Sequence, residues 1–485
     1  MESNTDDRKK SLGITVRKSD NMSEWYTQVV LQSELADYSP VSGCIVYRPL
    51  SYAIWENVQR IFDSMIKSTG HKNVYFPMLI PESLMNKEEE HIEGFAPEVA
   101  WVTRGGNSEL SEPLAIRPTS ETIIYDSMSK WIRSHRDLPL LLNQWCSVVR
   151  WEFKHPRPFL RGREFLWQEG HTAHTTYEEA VEEVMMILEY YRTILEDYYA
   201  MPVLIGKKSE QEKFAGAHYT LACEAIMPDG KSLQVCTSHH MGTNFSEEFD
   251  LQFSDADGQI KHAYTTSWGI STRTIGGLIL VHGDDKGLII PPKIAPLQCV
   301  IVPIYNDTTK KDVLEYANTV KNMVESVCTV SLDARDYVNP GYKYNEHELK
   351  GVPIRIEAGP RDIENNNVIM VRRDTGEKKI VSLDEISDTI VFMLNAIQEN
   401  LYKTAKERHD AMILLARDYD ALEKAISDKK VAFSPFCGSA ECESTVKDKT
   451  GAISLVFPLM QPHGKSSCII CNAKGSDYAY FGKSY

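Results

Sequence analysis

The sequence predicts an α+β protein built from several domains, and three stretches predict it. Arg150–His171 reads as two strands joined by a basic, Pro-containing loop. From Cys299 to Tyr402 strand-like and helix-like patterns alternate, as in a small α/β domain of about 100 residues. The end of the chain consists of short strands and turns that carry Cys437, Cys442, Cys468 and Cys471. A length of 485 residues agrees with about two to four domains.

In chain order, residues 1–20 are polar and expected to be loose. Apolar residues recur at helical spacing over Met22–Asp37, where Ser23 is a candidate cap, and again over Tyr52–Lys67, which Gly70 stops. Val74–Phe76 is expected to be a short strand ending at Pro77, and Ser120–Trp131 a helix. Tyr177–Tyr199 reads as a long Glu-rich helix. Leu233–Cys236 and Tyr264–Trp268 read as strands and Thr274–Val281 as a helix. In the α/β segment, Cys299–Ile304 and Thr329–Leu332 are expected strands flanking a Lys311–Val327 helix. An alternating pattern continues over Glu346–Leu349, Ile354–Ala358, Val368–Val371 and Ile380–Ser382, and Asp384–Tyr402 is helical. Lys403–Lys430 is charged and expected to be helical. The acidic runs Glu88–Glu90 and Glu178–Glu183 are expected to be solvated helix faces. Trp25, Trp55 and Trp131 are read as core or interface anchors.

Arg150–His171 is where chemistry shows first. Side chains on a strand alternate faces, so Arg150 and Glu152 share one face of the first strand. Phe165, Trp167, Glu169 and His171 share one face of the second. A structural hairpin turns apolar residues inward; this one presents two carboxylates, an arginine, two aromatic rings and an imidazole. Buried charge is costly unless paired or bound. A nucleoside triphosphate, an anion with an aromatic base, answers that pattern, and Arg157, Arg161 and Arg163 stand near the open end.

Composition excludes several classes. With 42% hydrophobic residues and no apolar run of about 18 residues, a membrane span is not expected. The polar start, MESNTDDRKK, lacks the apolar core of a secretory signal. A net charge of −15 argues against a general polyanion binder; any RNA contact is then local and salt-sensitive. The ten cysteines do not form a small secreted disulfide framework, so a reducing cytoplasm is expected. Cys437-x4-Cys442 and Cys468-x2-Cys471 have the spacing of two chelating knuckles, so a closed, structural S4 zinc site is favoured over disulfides. Cys44, Cys146, Cys223, Cys299 and Cys328 read as buried thiols. Cys236, between Gln234 and Thr237, either lines a pocket or packs.

From about Met22 to Tyr485 the chain resembles a prolyl-tRNA synthetase of the archaeal and eukaryotic-cytoplasmic type. The resemblance rests on Met22-Ser23-Glu24-Trp25-Tyr26 through Pro40, on Val74-Tyr75-Phe76-Pro77 as class II motif 1, and on Arg117-Pro118-Thr119-Ser120-Glu121 as the T-x-E loop. Arg150–His171 is similar to motif 2, Thr237-Ser238-His239-His240 follows, and Ser267–Arg273 is similar to motif 3. It implies a flexible N-terminus at 1–20 and a class II catalytic domain on an antiparallel sheet at 21–293. An α/β anticodon-binding domain at 294–402 and a C-terminal zinc-binding domain at 403–485 follow. Few residues separate His171 from Ser267, so no editing domain is expected between motifs 2 and 3.

The resemblance further implies a cytoplasmic homodimer that uses ATP with Mg²⁺, L-proline and tRNA(Pro), with structural Zn²⁺ on the four cysteines. It gives Arg150 the α-phosphate and the proline carboxylate, Glu152 the adenine amino group, Phe165 and Arg273 the two faces of the adenine, and Arg161 the γ-phosphate. Gln234 and Thr237 serve phosphate, ribose and Mg²⁺. Thr119 and Glu121 hold the prolyl ammonium. Trp167, His171, His239 and Ser271 wall the proline, and Ser271 also serves the nucleotide. Anticodon reading falls to the surface from Glu346-His347-Glu348 to Arg355. Two rivals stand: another class II synthetase, threonyl or dual-specific for cysteine, and a non-catalytic RNA-binding paralogue. The presence of both Arg150 and Arg273 argues against the second.

Overall fold

The structure, a computed structural model, describes residues 13–91, 98–151, 155–462 and 466–485. The chain divides into two compact units. One contains residues up to Asp37, Tyr47–Asn57 and Leu278–Lys403; the other contains Tyr38–Val46, Val58–Gly277 and Thr404–Tyr485.

The larger unit is organised by an eleven-stranded sheet. From one edge its strands run Lys72–Asn73, Leu140–Val149, Glu164–His174, Tyr264–Ser271, Lys231–Gly242, Tyr219–Ile226 and Leu204–Lys207. Apart from the parallel edge pair, these neighbours are antiparallel. The same sheet continues through Ile453–Pro458, Asp477–Ser484, Val431–Phe436 and Ile413–Leu415. The cysteine-bearing segment therefore extends the sheet, with Phe457 and Pro458 paired to Lys207 and Gly206.

The two faces of the Glu164–His174 strand differ as period-2 alternation requires. Gln168 turns toward the Tyr177–Thr193 helix, accepts from the Tyr191 hydroxyl at 2.8 Å and donates to Asn143 at 2.7 Å. Gly170 lies opposite Trp268. Phe62 stacks on Tyr191 at 5.2 Å and meets Trp268 edge-on at 6.2 Å. The helix begins where Thr176 and Glu179 cap each other's backbone, a reciprocal box that satisfies free N–H groups.

Several boundaries differ from the sequence reading. The first hairpin strand is Leu140–Val149, so Arg150 stands just beyond its end; Glu152 lies outside the described residues. The strand at motif 1 is confined to Lys72–Asn73; beyond it the Val74 amide still donates to the Asn143 carbonyl at 2.8 Å and the Phe76 amide to the Gln144 side chain at 2.6 Å, without a regular ladder. The run Tyr177–Tyr199 is α-helical to Thr193 and wider-wound over Ile194–Tyr198. Glu183 is buried and bonds His71 at 3.0 Å, so the acidic run 178–183 is not wholly a solvated face. The side chains of Glu88–Glu90 lie outside the described residues. Trp25 and Trp55 are buried, but Trp131 is half exposed.

The smaller unit carries a five-stranded sheet in the order Val330–Leu332, Cys299–Pro303, Ile354–Ala358, Asn367–Arg372 and Lys378–Ser382. The first three are parallel and the last two antiparallel. Glu346–Leu349 is not a strand. It ends the Pro340–Leu349 helix, because Asn339 caps that helix and Pro340 occupies its first turn. The expected loose segment is tied down from Gly13 onward: the Lys18 ammonium donates to the Leu280 and Gly283 carbonyls at 2.7 and 2.6 Å. Residues 1–12 lie outside the described residues. The helix expected to end at Tyr402 runs over Ile386–Ala411, across the expected boundary at 402, and Lys403–Lys430 includes the Ile413–Leu415 strand.

A Cβ at Gly170 would stand 2.1 Å from the Trp268 indole, which is itself 1% exposed. Gly170→Ala is therefore expected to destabilise the larger unit by about 1–3 kcal/mol, the cost of an overpacked core. Thermal or urea unfolding measures it, and an unchanged midpoint contradicts this packing.

Candidate active site and metal centre

On the face of the hairpin away from the Tyr177–Thr193 helix lies a cavity of about 310 Å³, within the usual range for small-ligand sites, about 300–1,000 Å³. Thr119, Glu121, Arg150, Phe165, Trp167, Gln234, Thr237, His239, Ser271 and Arg273 all line it. The register explains the convergence. Phe165, Trp167 and Glu169 project from one face of their strand, opposite Val148, Cys146 and Gln144, while Thr237 pairs with Gly269 and brings its strand beside motif 3.

Two buried carboxylates form the floor. Glu121 takes the Ser267 hydroxyl at 2.7 Å and the Thr119 hydroxyl in a short bond. Glu169 accepts from Ser120 at 2.5 Å, Gln144 at 2.8 Å, His171 at 3.1 Å and the Cys146 thiol at 3.3 Å. Burial opposes ionisation of Glu169, but these donors, His171 first, hold its pKa below the ordinary carboxylate range. Burial likewise opposes a charge on His171, yet Glu169 and Glu121 raise its pKa. His171 thus sits one layer behind the cavity wall and reaches it through Glu169; it is not itself a lining residue.

Above the floor, the Arg150 guanidinium donates to the Pro118 carbonyl at 3.0 Å and faces the Phe165 and Trp167 rings at 5.4 and 5.5 Å. Trp167 donates to the Cys146 sulfur at 3.2 Å. Arg273 donates to the Gln234 carbonyl at 3.1 Å, and its amide bonds Ser271. His239 accepts or donates with Thr220 at 2.9 Å and packs on Phe214 at 4.8 Å; burial, then His171 and Arg150, lowers its pKa to about 3, so it stays neutral.

Not every expected residue joins the cavity. Arg161 is exposed and does not line it: it pairs with Arg157 across the loop. Arg163 lies over the Trp151 ring at 4.4 Å. His174 points to the other face, bonded to Thr172, and burial lowers its pKa to about 4. Glu169 and Ser267 lie inside motifs 2 and 3, where the resemblance assigns them no role; alternation with Trp167 already puts Glu169 on the ligand-facing side. Glu212, Lys213 and Phe214 also line the cavity, and no motif announces them. In the smaller unit the expected anticodon-reading groups are held in pairs, most with residues outside that stretch: Glu346 with Arg335 and Lys350, His347 with Asp333, and Arg355 with Glu348 and Glu357.

The sulfurs of Cys437, Cys442, Cys468 and Cys471 lie within 4.8 Å of one another, with Cys437 and Cys471 3.7 Å apart. A tetrahedral S4 shell with bonds of about 2.3 Å has edges of about 3.8 Å, so the four residues fit one metal ion. Burial pushes the Cys437 thiol up, but Ser439 brings its pKa down to about 7, toward the thiolate a metal takes.

Comparisons agree along the chain. Residues 101–282 match a family model described as "tRNA synthetase class II core domain (G, H, P, S and T)", 298–392 an "Anticodon binding domain", and 419–485 "Prolyl-tRNA synthetase, C-terminal". A proline–tRNA ligase of Alkaliphilus oremlandii is 52% identical over 467 residues, 96% of each chain. A proline–tRNA ligase 2 of Bacillus cereus is 48% identical over 479 residues, 98% of this chain and 100% of its own. A crystal structure of a prolyl-tRNA synthetase from Cryptosporidium parvum, complexed with halofuginone and AMPPNP, superposes with a TM-score of 0.94 at 45% identity, covering 98% of this chain and 100% of that one.

The Glu169–His171 pair sets a pH dependence. A depressed carboxyl stabilises above its unfolded pKa of about 4.3, and a raised imidazole stabilises below its unfolded value of about 6.5. The pair's contribution is therefore full between those values and is lost as pH rises through the raised His171 pKa. Glu169→Gln is expected to cost about 2 kcal/mol near pH 6 and clearly less at pH 9. Melting curves of both proteins across pH check this, and a pH-independent gap contradicts it.

Proposed function

This chain belongs to the prolyl-tRNA synthetase family of class II enzymes, and on that premise we propose how its residues join L-proline to tRNA(Pro) with ATP. The observation that carries the proposal is the cavity in which ten side chains named by the resemblance, from separated segments, meet. In the first step a proline carboxylate oxygen attacks the α-phosphorus of ATP and pyrophosphate leaves. In the second the terminal ribose hydroxyl of the tRNA attacks the prolyl carbonyl and AMP leaves. Neither step needs a protein nucleophile, only alignment and charge neutralisation.

Glu121 with Thr119 takes the prolyl ammonium. Trp167 and His239 wall the ring, with Glu169 and His171 as the braced floor behind it. Arg150 spans the proline carboxylate and the α-phosphate, a planar fork suited to both. Phe165 and Arg273 sandwich the adenine. Gln234, Thr237 and Ser271 serve phosphate, ribose and the Mg²⁺ that accompanies ATP. Arg161 reaches the γ-phosphate only if its loop swings inward from the exposed position. A role for Glu152 at the adenine amino group rests on the motif alone.

The family's archaeal and eukaryotic-cytoplasmic layout is the favoured subtype. Its support is the short stretch between the Glu164–His174 and Tyr264–Ser271 strands, which folds into strands of the same sheet, a small hairpin and two helices. The relatives from Alkaliphilus and Bacillus are bacterial, so the label describes domain layout and not source. Zinc is the metal proposed for the four cysteines. A homodimer through motif 1 is supported by exposed Tyr75, Met78 and Leu79 beside half-exposed Trp131. The proposed domains are those of the motifs, with tRNA(Pro) engaging the α/β segment. No helix among the described residues is long and apolar enough to cross a membrane; a cytoplasmic location accords with a role in translation.

Pyrophosphate exchange run in parallel with proline, alanine, cysteine and threonine tests the reading. A pocket shaped to the pyrrolidine ring rejects a smaller side chain by only about 1–3 kcal/mol per missing methylene, so weak alanine or cysteine exchange beside strong proline exchange is expected. Dominant threonine exchange, or none with any of the four, overturns it. Arg150→Ala should lower exchange about 10²- to 10³-fold, and Arg273→Ala should raise the KM for ATP more than that for proline. Metal analysis should find one zinc per chain and a loss of it in Cys468→Ser; an unchanged zinc content would remove the site.

A further inference from the structure

The segment Ser209–Phe214 lies between two strands of the sheet, carries no motif, and yet supplies Glu212, Lys213 and Phe214 to the cavity. Its first residue is held from the far end of the chain. The Ser209 hydroxyl donates to Glu443 at 3.0 Å, and the Gln211 side-chain Nε2 donates to the Ala440 carbonyl at 3.4 Å. Both partners belong to the Ala440–Thr450 helix, which Ser439 caps and which carries Cys442. Ser209 in turn fixes the turn: its hydroxyl accepts from the Glu212 amide at 3.2 Å, and its carbonyl accepts from the Lys213 amide at 2.9 Å. The segment ends where the Phe214 amide donates to the Thr220 hydroxyl at 2.9 Å and its ring packs on His239.

Glu443 is an unusual group to place there. It is 1% exposed; one oxygen takes Ser209 and Ser454, the latter at 2.5 Å, and the other has no hydrogen-bond partner among the described residues. A buried carboxylate with an orphan oxygen costs stability, and packing alone would be better served by an apolar side chain. The bonds to Ser454 and Ser209 are what the carboxylate supplies, and of the two only Ser209 leads to the cavity. Burial raises the pKa of Glu212; Lys208 opposes this, and Glu443 and Glu224 add to it.

We infer that Glu443 is a positioning residue for the substrate cavity: through Ser209 it holds the Glu212–Phe214 wall in place, so that the cysteine-bearing C-terminal segment sets proline affinity without touching the substrate. The inference rests on the reading of the cavity as the proline and ATP site. It gives the C-terminal helix a role beyond metal binding and adds a residue remote in sequence from every motif.

The test uses the full-length protein with Glu443→Ala, Glu443→Gln, Ser209→Ala and the double alanine variant. In Glu443→Ala the KM for proline in pyrophosphate exchange should rise roughly tenfold, the effect of losing the Ser209 bond of the two that the carboxylate makes, with kcat changed much less. Glu443→Gln, which keeps an acceptor oxygen, should recover most of the affinity. Ser209→Ala should raise KM similarly, and the double variant should be no worse than the worse single one, because the two side chains act as one contact. Hydrogen exchange should speed up at the amides of Glu212–Phe214 in both alanine variants. A lower melting midpoint with unchanged proline KM and unchanged exchange at those amides would make Glu443 merely structural and overturn the inference, as would additive effects in the double variant. If wild-type protein shows no proline-dependent exchange, the functional reading fails instead, and the amide measurement still decides whether Glu443 holds the segment.

Discussion

Two carboxylates buried side by side set the terms for this protein. Glu121 and Glu169 lie under the cavity at 2% and 1% exposure, where an uncompensated charge would be prohibitive. Their donors come from the Thr119-Ser120 turn, the Leu140–Val149 strand, the Glu164–His174 strand and motif 3. Satisfying the two acids therefore fixes how those segments meet. The same demand keeps the remaining polarity for the ligand: Glu121 is presented through hydroxyl partners, and Arg150 lies over aromatic rings at the cavity wall.

The sheet converts that demand into shape. Each residue of the Glu164–His174 strand serves one side only, the cavity for Phe165, Trp167 and Glu169, and the core for Gln168 and Gly170. The close approach of Trp268 to Gly170 locks this register from behind, and a slip of one residue would exchange the two sets. Extension of the sheet into the C-terminal strands then makes the metal-type cysteine cluster part of the same body as the cavity, which is why a helix at the end of the chain reaches a cavity-lining segment.

Much of this was legible in the sequence. The alternation over Phe165–His171 placed four side chains on one face, because period 2 needs no tertiary information, and the resemblance supplied the motif residues that the cavity gathers. The spacing of the four cysteines favours a metal shell over disulfides, the resemblance adds zinc, and the sulfurs do come within 4.8 Å of one another. Other features were not. Leu140–Val149 lacks clean alternation because both of its faces mix polar and apolar residues: Gln144 and Cys146 bond Glu169 on one, and Asn143 bonds Gln168 and Asn73 on the other, so periodicity does not mark this strand. Glu346–Leu349 alternates by chance within a helix whose real signal is Asn339-Pro340. Glu183 carries no local sign of burial, because the His71 that bonds it is distant in sequence. The 209–214 segment left no pattern at all: its function depends on a partner, Glu443, that is 234 positions from Ser209.

The most direct measurement is a crystal structure with a non-hydrolysable prolyl-adenylate analogue. The prolyl ammonium should bond Thr119 and Glu121, the adenine should lie between Phe165 and Arg273, and the Glu169–His171 pair should stay in place behind Trp167. An analogue bound elsewhere, or bound here with its prolyl group turned away from Glu121, would contradict the account.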